Sequence, residues 1–331
     1  MRVVVSEALS SQDMEILRRA ARILRNGGLV VFPTETVYGL GANALDGKAV
    51  RKIFEVKGRP ADNPLIVHVA DPGAAEEVAY VPEAGAGLMK RFWPGPLTLV
   101  MPARSIVPPE VTAGLSTVAV RMPAQRIALE LIRLAEVPVA APSANLSGRP
   151  SPTDAAAVEE DLGEKVEIIL DGGSTCFGVE STVLDITGER AVLLRPGGAS
   201  IESLEEFLGY SPLQAGSGAP VSRRSPGTRY RHYAPKVPLL LREDESVWAR
   251  VAPWEPAERA YIGIRPPVVP FAFVRLFPDV ESYARCLFSV FREMEKAGAK
   301  VIVADWPEEA GMGLALRDRL RRASGGSFNP E

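Results

Sequence analysis

The stretch from Val31 to Val69, VFPTETVYGLGANALDGKAVRKIFEVKGRPADNPLIVHV, restricts the fold more than any other part of the chain. The apolar run Leu29 to Phe32 reads as a strand that Pro33 breaks, leaving Thr34, Glu35 and Thr36 as short polar groups beyond its end. A glycine-bearing turn is expected at Gly39 and Gly41. Ala49, Val50, Ile53 and Phe54 then recur at helical spacing, and that helix runs out into Lys57-Gly58-Arg59-Pro60. Pro64 to Val69 is a second apolar strand and carries His68. Strand, polar loop, helix, basic loop, strand is the order in which an α/β protein builds a small-molecule site at its strand ends.

With 331 residues the chain can hold two cores. A hydrophobic share of 46% and a charged share of 24% are ordinary for a globular protein. The net charge of −3 argues against a basic coat over the whole molecule and leaves a local basic patch open. No apolar run reaches membrane-span length and MRVVVSEALSSQDME has no signal-peptide pattern, so a cytoplasmic protein without a membrane partner is expected. Cys176 and Cys286 cannot make a disulfide framework, and two histidines leave no Cys/His metal cluster. Both cysteines read as packing residues. No metal centre of the protein's own is expected; a metal would arrive as Mg²⁺ on substrate phosphates.

In chain order, SQDMEILRRAARILRNGG has a helical apolar face (Met14, Leu17, Ala20, Ala21, Leu24) and a stop at Asn26-Gly27-Gly28. Asp71 to Met89 reads as one or two helices broken near Val81-Pro82, and FWPGPLTLVMPA as a rigid turn entering a strand. GLSTVAVRMP is a buried strand with Thr117 at its start and Arg121 near its end. An arginine there faces either an anionic ligand or a salt-bridge partner, and both readings stand. A helix (Ile127 to Leu134) and a strand (Val137 to Ala141) lead into PSANLSGRPSPT, rich in Ser and Asn donors, which is either a plain turn or a binding loop. Val166 to Leu170 is a strand; Glu180-Ser181-Thr182 precede another, and Ala191 to Leu194 ends in Arg195-Pro196-Gly197-Gly198.

Residues 211–236 then hold five Lys or Arg and no Asp or Glu, ending in SPGTRYRHYAPK. That composition is a linker's, but Tyr230, Arg231, His232 and Tyr233 suit contact with something anionic and flat. Beyond it, Pro238 to Arg242, Ala260 to Ile264 and Val301 to Trp306 are apolar strands separated by helical stretches such as YARCLFSVFREMEKAG, a second and smaller α/β unit. The basic last helix, GLALRDRLRRAS, reads as a solvated face.

No GxxxxGK[ST] loop, GxGxxG after a strand or GxSxG elbow is present. What remains is a set of donors and cations on separate strand ends: Lys57, Arg59, Arg121, Ser143, Asn145, Ser181 and Arg195. Such a set suits a polyanion, a nucleoside triphosphate being one, with catalysis by positioning and charge stabilisation. His68 is either a satisfied core histidine or a ligand.

In this order, PTETVYGLGANA, the pair Lys57 and Arg59, DNPLIVH, WPGPLT, TVAVRMP, APSANLSG, FGVESTV and LLRPG resemble the YrdC/Sua5 family over residues 10–200. SPGTRYRHYAPK followed by a small α/β domain is similar to its two-domain form. The resemblance implies a YrdC-like twisted mixed sheet with helices over 1–210, a basic linker or lid over 211–236, and a smaller Rossmann-like Sua5 domain over 237–331. It also implies a threonylcarbamoyl-AMP synthase, a nucleotidyltransferase that takes L-threonine, bicarbonate and ATP (with Mg²⁺) and passes its product to a tRNA threonylcarbamoyl-transfer complex for t6A37 modification, with a weak tRNA contact of its own.

By the same matching Lys57, Arg59, Ser143 and Asn145 form the charge-stabilising catalytic set. Arg59, Asn63, Thr117, Ser143, Ser151 and Arg195 would hold ATP, with Tyr230, Arg231 and His232 closing over it. Thr36, His68, Arg121, Ser181 and the backbone of Ala141 would hold threonine. Two rivals are an RNA-binding module without ATP chemistry and a carbamoyl-transfer maturation factor. Residues 1–150 carry 17 Lys/Arg against 14 Asp/Glu, too small an excess to favour the first. The second resembles fusions with zinc fingers, for which two cysteines leave no room.

Overall fold

A computed structural model of the chain describes residues 1–214 and 232–325. The larger of its two sheets holds β1 (Arg2–Val4), β2 (Val30–Phe32), β3 (Gly39–Asn43), β4 (Ile66–His68), β5 (Leu97–Pro102), β6 (Thr117–Arg121), β7 (Val139–Ala140), β8 (Ile168–Asp171), β9 (Thr182–Asp185), β10 (Val192–Arg195) and β11 (Leu213–Gln214). Their order is β1-β8-β2-β3-β7-β4-β6-β5-β9-β10-β11. Parallel pairs such as β4 with β6 sit beside antiparallel ones such as β2 with β3, so the sheet is mixed, as the resemblance implies.

Helices cover both faces because the strands alternate. Val30 and Phe32 of β2 pack toward α1 (Ser11–Arg25), while Val31 between them joins the opposite core, where α2 (Gly47–Lys57) contributes Val50 and Ile53. Further helices are α3 (Pro72–Val78), α4 (Glu83–Phe92), α5 (Pro109–Thr112), α6 (Arg126–Ala135), α7 (Ala155–Leu162) and α8 (Ile201–Leu208). The break expected near Val81-Pro82 falls between α3 and α4.

The smaller sheet is all parallel, β12 (Leu239–Arg242), β13 (Arg259–Gly263), β14 (Phe273–Leu276) and β15 (Val301–Asp305), in the order β12-β15-β13-β14. It is flanked by α9 (Val247–Val251), α10 (Val280–Lys296) and α11 (Met312–Ala323), a doubly wound arrangement. Its core does not stop at its own strands: Val37 and Val179 of the larger unit and Tyr233 of the re-entering chain belong to the cluster built on α10 and α11. Gly178 marks one close approach of the two units. A Cβ there would stand 2.2 Å from the carbonyl oxygen of Arg285, and its φ of +74° is the left-handed region that favours glycine.

Several expectations change. The glycine pair Gly39 and Gly41 lies in β3, not in a turn. A Cβ on Gly41 would meet Phe32 and Val139 side chains at 2.8 Å, so close packing across the sheet explains the small residue. β11 extends the larger sheet to Gln214, into the segment read as linker. β14 was not anticipated because it is an edge strand with Val274 and Leu276 exposed. Cys176 is exposed and therefore does not pack. The last helix is no solvated face throughout: Arg319 is 0% exposed.

Candidate active site

The polar loop after β2 is organised by Thr34. Its hydroxyl donates to the carbonyl of Val37 (2.6 Å) and accepts from the amides of Thr36 and Val37. This aims Thr36 at Arg121, whose Nη1 donates to the Thr36 hydroxyl at 2.9 Å. Register brings the histidine in as well, because β4 and β6 pair in parallel with His68 beside Arg121. Arg121 further donates from Nη2 to Glu35 at 2.6 Å and from Nε to Gly95 O at 3.2 Å. That leaves two of its five N–H groups for a ligand.

The basic loop does two different things. Lys57, the last residue of α2, is 3% exposed, and its ammonium donates to the carbonyls of Ser143 (2.6 Å) and Asn145. Its own carbonyl accepts from the Ser147 amide at 2.9 Å. Lys57 thus clamps the Ser143–Ser147 loop from behind. Burial, and then the Arg59 charge, depress its pKa well below the ordinary lysine value. Within the clamped loop Ser143 donates to Asn145 Oδ1 at 2.5 Å, and Asn145 Nδ2 bonds Leu146 O and Arg149 O at 2.8 Å each. Arg59 faces the cavity instead, its Nη2 tied to Pro64 O at 3.1 Å. Burial lowers even this guanidinium, to about 10.

A cavity of about 620 Å³, counting its open mouth, gathers these groups. Thr36, Arg59, His68 and Arg121 line it, together with Ala141, Ser143, Asn145, Ser181, Arg195 and His232. Among the described residues its wall carries three arginines and one carboxylate, Glu180. Burial alone would raise the Glu180 carboxyl, but the charges of Arg319 and Arg195 hold it below the usual range. Burial, followed by the Arg121 charge, lowers His68 to about 3, so its imidazole is neutral at physiological pH. Buried polar atoms with no hydrogen-bond partner among the described residues include Arg59 Nε, His68 Nδ1 and His232 Nε2 on this wall and both amide atoms of Asn63 just behind it. Such a concentration around one cavity is what a polar ligand site leaves behind.

Against this geometry stand the relatives. Residues 22–197 match the Sua5, YciO and YrdC family model, described as telomere recombination, and residues 199–325 match the model described as threonylcarbamoyl-AMP synthase, C-terminal domain. A threonylcarbamoyl-AMP synthase of Pyrococcus abyssi is 50% identical over 322 residues, covering 93% of this chain and 94% of that protein. The chain belongs to the YrdC/Sua5 family. A family member from Bacillus subtilis, also named threonylcarbamoyl-AMP synthase, is 43% identical over 98% of this chain and 97% of its own length. Among solved structures, Pyrococcus abyssi Sua5 complexed with L-threonine superposes with a TM-score of 0.91 at 48% identity, covering 98% of both chains.

Set against the family motif, the residues divide into three groups. The ten named above line the cavity. Lys57, Asn63, Thr117 and Ser151 are buried and do not line it. Lys57 and Asn63 lie just behind Ser143 and Arg59, and Arg59 Nη2 donates to the Asn63 carbonyl at 3.4 Å. Ser151 donates to Glu180 at 2.5 Å. Thr117 stands at the far end of β6 from Arg121. Tyr230 and Arg231 fall outside the described residues. Sequence reasoning missed Tyr38 and Glu180 as wall residues, while Tyr233, read from its segment as suited to an anionic and flat partner, does line the cavity. Glu180 had a signal, a lone carboxylate beside a serine at a strand entry; Tyr38 sits in an apolar context that hides its hydroxyl, which donates to Gly173 O at 2.6 Å.

Proposed function

We propose that the chain condenses L-threonine, bicarbonate and ATP into threonylcarbamoyl-AMP and pyrophosphate in this one cavity. The observation that supports the residue assignment is the convergence of ten motif residues on one cavity wall. By the family resemblance Thr36, His68, Arg121, Ala141 and Ser181 take threonine, and Arg59, Ser143, Asn145, Arg195 and His232 take ATP; Arg195 joins the two sets by donating from Nη2 to the Ser181 hydroxyl at 3.2 Å. Zwitterionic threonine needs an anion site and an ammonium site. The two unspent N–H groups of Arg121 supply the first. Ala141 donates its amide to Ile66 O at 2.9 Å, so the backbone group it has for an ammonium is its carbonyl, an acceptor.

The threonine ammonium gives a proton to bicarbonate, which breaks down to CO₂ and water; the freed amine then attacks the CO₂ carbon and loses one proton to solvent, giving a carbamate. A carbamate oxygen then attacks the α-phosphorus, and the bond to the bridging oxygen breaks with its electron pair leaving on pyrophosphate. Arg59 and Arg195 offset charge that grows on the phosphates, while the loop held by Lys57 fixes Ser143 and Asn145 against them. Among the described residues no group of three or more His, Cys, Asp and Glu could hold a metal ion, and both oxygens of Glu180 are occupied by Ser151 and Arg319. That donor set fits Mg²⁺ carried in on the triphosphate.

A product of this kind is consumed by a tRNA threonylcarbamoyl-transfer complex, which is why a cytoplasmic setting and a weak tRNA contact stay part of the proposal. No helix among the described residues is long and apolar enough to cross a membrane. The test is pyrophosphate release from ATP. It should require threonine and bicarbonate together, and release indifferent to either one rejects the reaction.

A further inference from the structure

Besides the apolar contacts of α10 and α11, the smaller unit brings one buried charge to the back of the cavity wall among the described residues. Arg319 of α11, fully buried, donates from Nε to Glu180 Oε2 at 2.7 Å across the boundary between the two sheets. The other oxygen of Glu180, Oε1, accepts from Ser151 at 2.5 Å. From Nη1, Arg319 also donates to the carbonyl of Pro196 at 2.9 Å, the residue after Arg195, and to Asp318 at 2.6 Å. Its guanidinium carbon lies 5.5 Å from the centre of the Tyr233 ring, another wall residue. One arginine therefore touches Glu180, the Pro196 turn and Tyr233 at once.

The chemistry of the ligand makes this arrangement matter. Glu180 is the one carboxylate in the wall among the described residues, and a carboxylate facing a triphosphate opposes it through a poorly screened medium. Zwitterionic threonine, with no net charge, feels that opposition far less. We infer that Arg319 is a positioning residue for the nucleotide: it neutralises Glu180 and turns both carboxylate oxygens away from the phosphates, toward Ser151 and itself. The smaller unit is then part of the ATP site without touching ATP. The inference rests on the reading of the cavity as the ATP site.

The test compares Arg319→Met, Arg319→Lys and the double variant Glu180→Gln/Arg319→Met in the full chain. In Arg319→Met the KM for ATP should rise roughly 10- to 100-fold at about pH 8, while the KM for threonine moves by no more than about twofold. The double variant should recover most of that loss, because no uncompensated carboxylate remains. Arg319→Lys, which keeps the charge and loses the fork, should fall between. Acidifying Arg319→Met to about pH 6 should narrow the gap, since burial then favours protonated Glu180. Equal increases in both KM values, a lower melting temperature with both KM values unchanged, or a double variant no better than Arg319→Met overturns the inference.

Calorimetric binding of ATP alone to the same variants separates this result from the reaction itself. If wild-type enzyme releases no pyrophosphate yet Arg319→Met still loses ATP affinity, the proposed reaction fails and the inference stands. If turnover is as proposed and ATP affinity is indifferent to Arg319, the inference alone fails.

Discussion

Replacing Lys57 with methionine keeps the length of the side chain and removes its ammonium. Two buried carbonyls, Ser143 O and Asn145 O, then lose their donor. Each orphaned buried carbonyl costs about 1–3 kcal/mol, so with two of them Lys57→Met should destabilise the fold by about 2–6 kcal/mol. The freed Ser143–Ser147 loop should raise the KM for ATP along with it. The pH dependence carries a definite sign. Burial depresses the folded pKa of Lys57 below the ordinary lysine value of 10.5, so the unfolded chain binds more protons between those two values. Lysine's contribution is full above about pH 10.5 and is lost as pH falls toward the folded value. The stability gap between wild type and Lys57→Met should accordingly widen from pH 7 to pH 10 in urea unfolding. A variant within about 0.5 kcal/mol of wild type at both pH values refutes the clamp. So does lost turnover with stability and ATP KM unchanged, which would put Lys57 on the reacting atoms.

Arg121→Ala should raise the threonine KM far more than the ATP KM; steady-state kinetics showing the reverse removes its carboxylate role. His68 and His232 are each lowered to about 3, by burial first and then by arginine charges, so folded chains keep them neutral while unfolded chains protonate near 6.5. Stability should therefore fall as pH drops below 6.5, and His68→Gln/His232→Gln should flatten the slope of urea midpoints between about pH 6.5 and 5; an unchanged slope contradicts the burial argument. Ending the chain after Gly209 removes His232, Tyr233 and Arg319 from or behind the wall, and should abolish pyrophosphate release. Full activity would make the C-terminal half a spacer.

Features legible in the sequence were those whose physics is local. A strand that breaks at Pro33, a helix that ends at Lys57 and an arginine closing β6 all announce strand-end chemistry within a few residues. Wall residues named from motifs also converge, though the parallel register that places His68 beside Arg121 joins strands 53 residues apart and was not legible in the sequence. Arg319 was illegible for the opposite reason. Its partner Glu180 lies 139 residues away, and within GLALRDRLRRAS its charge looks like every other exposed arginine. Glu35 was equally silent, since a carboxylate in a polar loop gives no sign that it will pair with a buried guanidinium 86 residues on. β1 and β11 are too short for periodicity to register; pairing with β8 and β10 makes them strands.

The apolar cluster shared by the two sheets has a bearing on cooperativity. Val37 follows Thr36, and Val179 precedes Glu180, so the segments presenting those cavity residues are rooted among α10 and α11. A local opening of the cavity wall would have to pull those valines out of a core held by Phe288, Phe291 and Leu316. The two sheets then unfold as one unit, and the amides of the Thr34–Val37 loop inherit the hydrogen-exchange protection of α10 instead of the fast exchange usual for a loop. The segments carrying Thr36 and Glu180 are in this way anchored in the protein's interior.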